Sequence, residues 1–512
     1  MVPTLLLCAL LTQGGISAAD ARAGVRAWRA AHEVEIVREL SDLLAIPNVA
    51  SDRANIERNA QAIARAFAQR GVSMELLRVP DAPPAVFGEL AAPGARRTVV
   101  FYAHYDGQPV RPADWAGEPW KPVLRDRALR DGGREIPWEG LRAPLPPEGR
   151  LYARSASDDK APIVGLLAAL DALKASRQRP SVNLKFFFEG EEEAGSPHLE
   201  ALLSRYAGRL GSDVWLLLDG PVHQTRRMAL YFGARGVTDV EITLYGPSRP
   251  LHSGHYGNWA VNPIAELARL LASMRDEEGR ILVAGFSDGV RPITAAERSA
   301  LDEVPRVEEE LRKSLALGRT EGEGARLADR LMLPALNLRG IAGGAVGPTA
   351  TNSIPTQAAA SIDFRLVPDQ TLEGVRERIE EHVRRQGYTV VHGEPSLEER
   401  LSHPRVAKLV WGPGYPAART PMDSPASRAV IRAVEQATGA PAVKLPTLGG
   451  SIPMYLFAEI LKTPVIGVPI VNHDNDQHAA NENLRLQNLW DGIEVYAALM
   501  SRLSEAWLPG AP

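Results

Sequence analysis

Residues 97–106 read RTVVFYAHYD, a short unbroken apolar run that ends directly in His104 and Asp106. A continuous run of this kind predicts a strand buried on both faces, as in a largely parallel sheet. The same construction recurs along the chain. VNLKFFF (182–188) runs into EGEEEAGS, which carries Glu189, Glu191, Glu192 and Glu193; VWLLL (214–218) runs into Asp219. PVIGVPI (464–470) leads to His473 and His478 in VNHDNDQHAANEN. Between the first two runs lies an Ala/Leu-rich helix, 161–174, directly after Asp158 and Asp159 of SDDKAP. Buried strands separated by helices indicate an α/β layer. Ligands of open α/β sheets gather beyond the carboxyl ends of the strands, so these separate acids and histidines are expected to converge.

Each piece alone is weak. A strand-end carboxylate is ordinarily just solvated, EGEEE reads as a charged loop, and Asp158 as a helix cap. Five such pieces at successive strand ends are another matter, because burying so many acids without a cation is costly. His and carboxylate donors suit Zn²⁺, with Mn²⁺ or Co²⁺ as alternatives, better than copper or a Ca²⁺ cage. One carboxylate can bridge two such ions about 3.5–4 Å apart. Water held between them ionises near neutral pH, and a nearby unligated glutamate can relay its proton to a leaving amine.

The rest of the composition narrows the field. At 512 residues the chain exceeds one ordinary domain of about 100–200 residues. Its 58 basic and 62 acidic residues leave a net charge of −4, which gives no reason to expect a nucleic-acid partner. The single cysteine, Cys8, excludes a disulfide framework, a thiolate zinc finger and an iron–sulfur site. Cys8 falls in VPTLLLCALL (2–11), followed by GGISAAD; the stretch 1–19 reads as a secretory signal cleaved near Ala18 or Ala19, although it lacks a basic start. The run is too short to span a membrane. A secreted or periplasmic protein is the expectation.

Ile36, Leu40 and Leu43 share one helical face, as do Ile56, Ile63 and Phe67 before Gly71. From about 233 to 410 the pattern changes to that of an inserted α+β domain. TDVEITLYG reads as a strand, Asn262 and Pro263 open a helix, and 296–331 is charged. Strands follow near 335–340 and 357–366, then a helix with Leu372, Val375 and Ile379 on one face. QAAASIDFRL alternates, as a sheet with one exposed face should. The Pro/Gly-rich GPGYPAARTP (412–421) reads as the return, giving a first domain from 20–232 and 411–512.

The ordered set HxD, SDDK, EGEEExGS, LDG and HxxNE resembles the di-zinc exopeptidases, a family that includes carnosinases, non-specific dipeptidases, glutamate carboxypeptidase, desuccinylases and aminoacylases. The resemblance covers nearly the whole chain after the N-terminal stretch. It implies a zinc-dependent exopeptidase-like catalytic domain with an inserted lid/dimerisation domain, and a homodimer formed through the lid. It implies two divalent metal ions: His104 and Asp219 on one, Glu193 and His478 on the other, and Asp158 bridging both. His478 fits the HAANEN spacing better than His473. Glu192 would be the general base and acid, and Asp106 would orient His104. His252 of PLHSGHYG would reach the partner subunit's site and stabilise the oxyanion. Arg365 of DFRLVPDQ would hold a substrate carboxylate, with Asn352 and Ser451 as further substrate-binding candidates. The chain departs from the family pattern at Ala153, Ser155 and Ala161, where glycines are usual, and at Leu448, where an acid is frequent.

The leading expectation is a metallopeptidase that hydrolyses dipeptides or releases a C-terminal residue from a small peptide. The alternative enzyme is an amidohydrolase of N-acyl amino acids with the same metals. A catalytically silent binding protein would have lost Glu192 or a ligand, and all are present.

Overall fold

The computed structural model describes residues 18–322 and 324–507. An eight-stranded sheet carries the larger body of the molecule. Its order is Ser73–Leu77, Ala85–Leu90, Asn183–Glu189, Thr98–His104, Val214–Leu217, Val465–Gly467, Ala229–Tyr231, Val443–Leu445. Thr98–His104 runs parallel to both Asn183–Glu189 and Val214–Leu217, and Val465–Gly467 runs parallel to the latter. The first two strands form an antiparallel edge, which the sequence reading did not anticipate.

Successive residues of the central strands enter two different cores, and this is why their sequences are continuously apolar. Val99, Phe101 and Ala103 pack with Phe186 and Leu216 beneath the Lys160–Ala175 and Leu486–Ala506 helices. Val100 and Tyr102 pack on the other face with Phe187, Trp215 and Leu217, under the Leu199–Leu210 and Met454–Ile460 helices. Helices on both faces exclude water from the strands, so only the loops at the carboxyl ends are free to carry polar chemistry. The register aligns those ends: His104 lies opposite Glu189, and Tyr102 opposite Leu217.

A second, five-stranded sheet has the order Ala335–Ala342, Gln357–Leu366, Gly236–Tyr245, Val406–Trp411, Thr389–Val391. Its strands are antiparallel apart from the final pair. One face packs on the Pro263–Ala272 and Leu372–Arg385 helices through Leu267, Leu271, Val375 and Ile379.

The two passages between the sheets lie side by side. Gly233–Ala234 pairs with Ala418–Arg419, and Val237 bridges to Tyr415. A Cβ on Gly236 would lie 2.5 Å from the Tyr415 carbonyl oxygen, so the strands approach this closely only because residue 236 has no side chain. The charged stretch does not belong wholly to the smaller sheet. Its Ala295–Glu303 helix returns to the larger body, with Ala300 in the main core and ion pairs Glu297–Arg419 (2.9 Å) and Glu303–Lys444 (2.7 Å).

Candidate metal centre

The loops at the carboxyl ends of the central strands meet at one place. The Nε2 atom of His104 lies 2.8 Å from Oδ1 of Asp158, and the Nε2 atom of His478 lies 3.1 Å from Oδ2 of the same carboxylate. The two oxygens of one aspartate therefore face two imidazoles brought from residues 374 positions apart in the sequence, 104 and 478. Glu193 joins the second side, its Oε2 being 3.2 Å from His478. Glu192 joins the first, 4.0 Å from His104. Ligand atoms of His104, Glu192 and Asp219 all lie within 4.8 Å of one another, and so do those of Asp158, Glu193 and His478.

The acid pair is positioned through its backbone. Glu192 and Glu193 begin a single tight turn, and their N–H groups donate to the two oxygens of Asp106 at 3.1 and 3.0 Å. Asp106 also stands 3.3 Å from Nδ1 of His104. One buried carboxylate thus places a histidine on one strand end and two glutamates on the next. Gln108 donates to Glu193 (2.7 Å), Gln477 to Asp158 (3.2 Å), and the Tyr231 hydroxyl to the Asp219 carbonyl (2.9 Å).

The electrostatics call for added positive charge. Asp158, Asp219 and His104 are buried, and among the described residues no Lys or Arg pairs with Asp158, Glu192, Glu193 or Asp219. Burial and the neighbouring Asp158 push Glu193 up to about 7 and Asp219 up to about 6. Burial, with Asp219, Glu193 and Asp158 around it, drives Glu192 well above the usual carboxylate range. The hydrogen bond to Asp158 lifts His478 to about 9. Binding sites of divalent cations have this character, because their ligands give up shared protons to the metal. The donors, imidazole nitrogen and carboxylate oxygen, fit Zn²⁺, Mn²⁺ or Co²⁺.

Other sequence-derived candidates fall in two places. Arg365 donates to Ser451 Oγ at 2.7 Å and to Asp363 at 3.3 Å, so Arg365 and Ser451 share one site. Burial raises Tyr415, with Glu192 adding to the rise and Arg365 opposing it, so this tyrosine feels both the acid pair and the guanidinium. His252 and Asn352 sit elsewhere, on the smaller sheet's side. His252 pairs with Ser353, and Ser253 N–H donates to the Asn352 carbonyl at 2.9 Å. No contact among the described residues joins them to the metal-ligating candidates of their own chain. His473 also lies apart from both ligand groups.

Residues 100–502 match Peptidase family M20/M25/M40. The chain belongs to this family. It is a metal-dependent peptidase, and the family's two divalent metal ions match the two donor groups. The M20 chain is 28% identical to the Cys-Gly metallodipeptidase dug1 of Schizosaccharomyces pombe, over 92% of this chain and 96% of that one. It is 27% identical to the human Beta-Ala-His dipeptidase, over 83% of this chain and 78% of that one. The crystal structure of an M20 family metallo-carboxypeptidase from Sulfolobus solfataricus superposes with a TM-score of 0.73 at 26% identity, covering 92% of this chain and 99% of that one. The secreted or periplasmic placement expected from residues 1–19 is not upheld. Most of that stretch lies outside the described residues, and Ala18 and Ala19, where cleavage was expected, open a folded helix, Ala18–Ala31. No described helix is long and apolar enough to cross a membrane.

The loop that carries His478 in this M20 fold is held by charge. Three of its residues, Asp476, His478 and Asn481, take left-handed backbone angles that side chains disfavour. Asp474 anchors it, accepting from Arg150 at 2.8 and 3.1 Å and from Arg485 at 3.0 and 3.1 Å. Partial burial opposes ionisation of Asp474, but Arg150, Asn472 and Arg485 hold its carboxyl well below the usual range. A depressed folded pKa means stability that is complete above the unfolded value of about 3.9 and is lost as the pH falls below it. Asp474→Asn is therefore expected to cost about 3–5 kcal/mol at neutral pH by leaving buried guanidiniums unpaired. Thermal melts should show the gap from wild type narrowing from pH 6 to pH 3; a gap that stays constant would contradict the assignment.

Proposed function

We propose that the chain hydrolyses dipeptides, or releases the C-terminal residue of a small peptide, at the centre formed by His104, Asp158, Glu192, Glu193, Asp219 and His478. The observation that carries this reading is Asp158, whose two oxygens face His104 and His478 at 2.8 and 3.1 Å with Glu192 alongside. In the proposed assignment His104 and Asp219 would hold one cation, Glu193 and His478 the other, and Asp158 would serve both. Cations held there would supply Lewis acidity toward the scissile carbonyl and lower the pKa of water.

The chain's own groups do the rest. Glu192 takes the proton from the attacking water and returns it to the leaving amine. Asp106 is a positioning residue for His104 and for the acid pair. Arg365, steadied by Ser451 and Asp363, offers the remainder of its planar fork to the substrate carboxylate.

We assign residues 20–232 and 411–512 to the catalytic domain and 233–410 to an inserted lid that also forms a homodimer. The dimer gives His252 its use. Gly254 N–H donates to His252 Nδ1 at 3.0 Å, so the neutral ring carries its proton on Nε2 and can donate to an oxyanion in the other subunit. Asn352, beside it, would enter the same site. Mixing inactive His252→Ala and Glu192→Gln proteins should recover about a quarter of wild-type activity, because a random mixture pairs one intact site in half of its dimers. No recovery after proven subunit exchange would exclude action across subunits.

The test of the whole reading is an assay of the zinc-loaded protein on a panel of free dipeptides, longer peptides and N-acetyl amino acids. Dipeptides are expected to be the preferred class. Turnover of N-acetyl amino acids alone would replace the peptidase reading with the deacylase one.

A further inference from the structure

Glu482 belongs to the HAANEN stretch, yet nothing in the proposed chemistry uses it. It is fully buried, and it lies four positions after His478. Its carboxylate accepts four hydrogen bonds from a single turn of chain. Oε1 accepts from the N–H groups of Ser157 and Asp158, both at 2.9 Å. Oε2 accepts from the Ser155 N–H at 3.0 Å and from Arg154 Nη1 at 2.7 Å. Backbone N–H groups of one turn directed toward a single point form a concave site for an anion, and Glu482 fills it, while the intervening Ala156 N–H donates to the Ala153 carbonyl. The Ser155 backbone is in the left-handed region (φ 63°), which helps turn its N–H inward.

The connection closes a ring. The Asp158 side chain meets His478 at 3.1 Å, while the Asp158 N–H meets Glu482 at 2.9 Å. The turn before the Lys160–Ala175 helix and the loop 472–483 are thus joined through the ligand carboxylate on one side and through Glu482 on the other, with Ser157 Oγ donating to the Asn483 carbonyl beside them (2.8 Å). With the backbone of Asp158 fixed from behind, its two oxygens have little freedom except to face His104 and His478.

We infer that Glu482 is a positioning residue that sets the place of the Asp158 carboxylate, and hence the metal affinity of both sides of the centre at once. The inference rests on the assignment of Asp158 as a ligand shared between the two cations. It differs from a purely stabilising role for the buried Arg154–Glu482 pair. That role requires only that the two charges offset each other, whereas positioning requires the three backbone contacts.

Substituting Glu482 alone would strand the Arg154 guanidinium, which is 3% exposed. The informative comparison is therefore Arg154→Met against Arg154→Met/Glu482→Gln, since removing both members of a buried pair is tolerated far better than removing one. Metal-stripped full-length proteins would be titrated with Zn²⁺ by calorimetry, well below their melting temperatures, and the bound metal counted. Arg154→Met removes the counter-charge of Glu482 and should lower the melting temperature, but it leaves the three backbone donors in place, so it is expected to take two equivalents with affinities within about threefold of wild type. The double variant should lose about 10–100-fold in affinity, the range found when an outer partner of a ligand is removed, and should lose it for both equivalents. Restoring a carboxylate one methylene shorter, as Arg154→Met/Glu482→Asp, should recover part of that loss.

A double variant that binds two equivalents as wild type does, with only its melting temperature lowered, would overturn the inference. So would failure of the double variant to fold, which would make the role structural. Asp158→Ala, titrated alongside, separates the two ideas. If it still holds two equivalents, the shared-ligand assignment falls and this inference with it. If it loses metal while the double variant does not, Glu482 alone has been misjudged.

Discussion

Glu192→Gln is expected to keep both metal equivalents and lose about 10³–10⁴-fold in kcat, the upper range for removal of a positioned general acid–base. The amide is nearly isosteric, and the backbone of residue 192 remains tied to Asp106 through its N–H at 3.1 Å, so the turn should survive. An amide cannot accept the proton of an attacking water, so the loss should fall on kcat with KM little changed. Metal counting must accompany the kinetics, because Glu192 lies in the same donor group as His104 and Asp219. Loss of one equivalent would make it a ligand on that side. Near-normal turnover with both metals bound would remove it from the reaction.

Asp158→Ala should abolish activity by removing both metals. Its oxygens face His104 at 2.8 Å and His478 at 3.1 Å, on opposite sides of one carboxylate. Deleting it takes a donor from each side and leaves two imidazoles that no longer share an anion. By contrast, replacing His478 with Ala should weaken chiefly the side it shares with Glu193. Metal counts after dialysis against dilute Zn²⁺ would show near-zero occupancy for Asp158→Ala and a partial loss for His478→Ala. Equal partial losses in the two variants would argue against a shared ligand.

Much of this is legible in the sequence. The runs 97–103, 182–188 and 214–218 form buried strands in a common sheet, because a strand packed on both faces has no polar side to interrupt its sequence. The alternating QAAASIDFRL forms a strand whose other face is open, Gln357–Leu366. The acids after these runs are gathered together because the strands run parallel and end in register. Other features were hidden. Nothing in the spacing of AHYD shows that Asp106 would accept the N–H groups of Glu192 and Glu193. The Ala295–Glu303 helix has a charged, weakly periodic sequence that conceals its return to the larger body. Glu482 stood within a recognised stretch, but its partners are backbone N–H groups, which every residue possesses and no pattern marks.

Side-chain chemistry and burial period are local properties, so the chain itself already specified which donors were available and which segments would lie inside. Which oxygen of Asp158 meets which histidine, and which carboxylate braces the turn behind it, are distances between segments from 54 to 324 residues apart. Those distances exist only once the strands have packed, because it is the shared core, and not the neighbouring sequence, that brings the loop ends within a few ångströms.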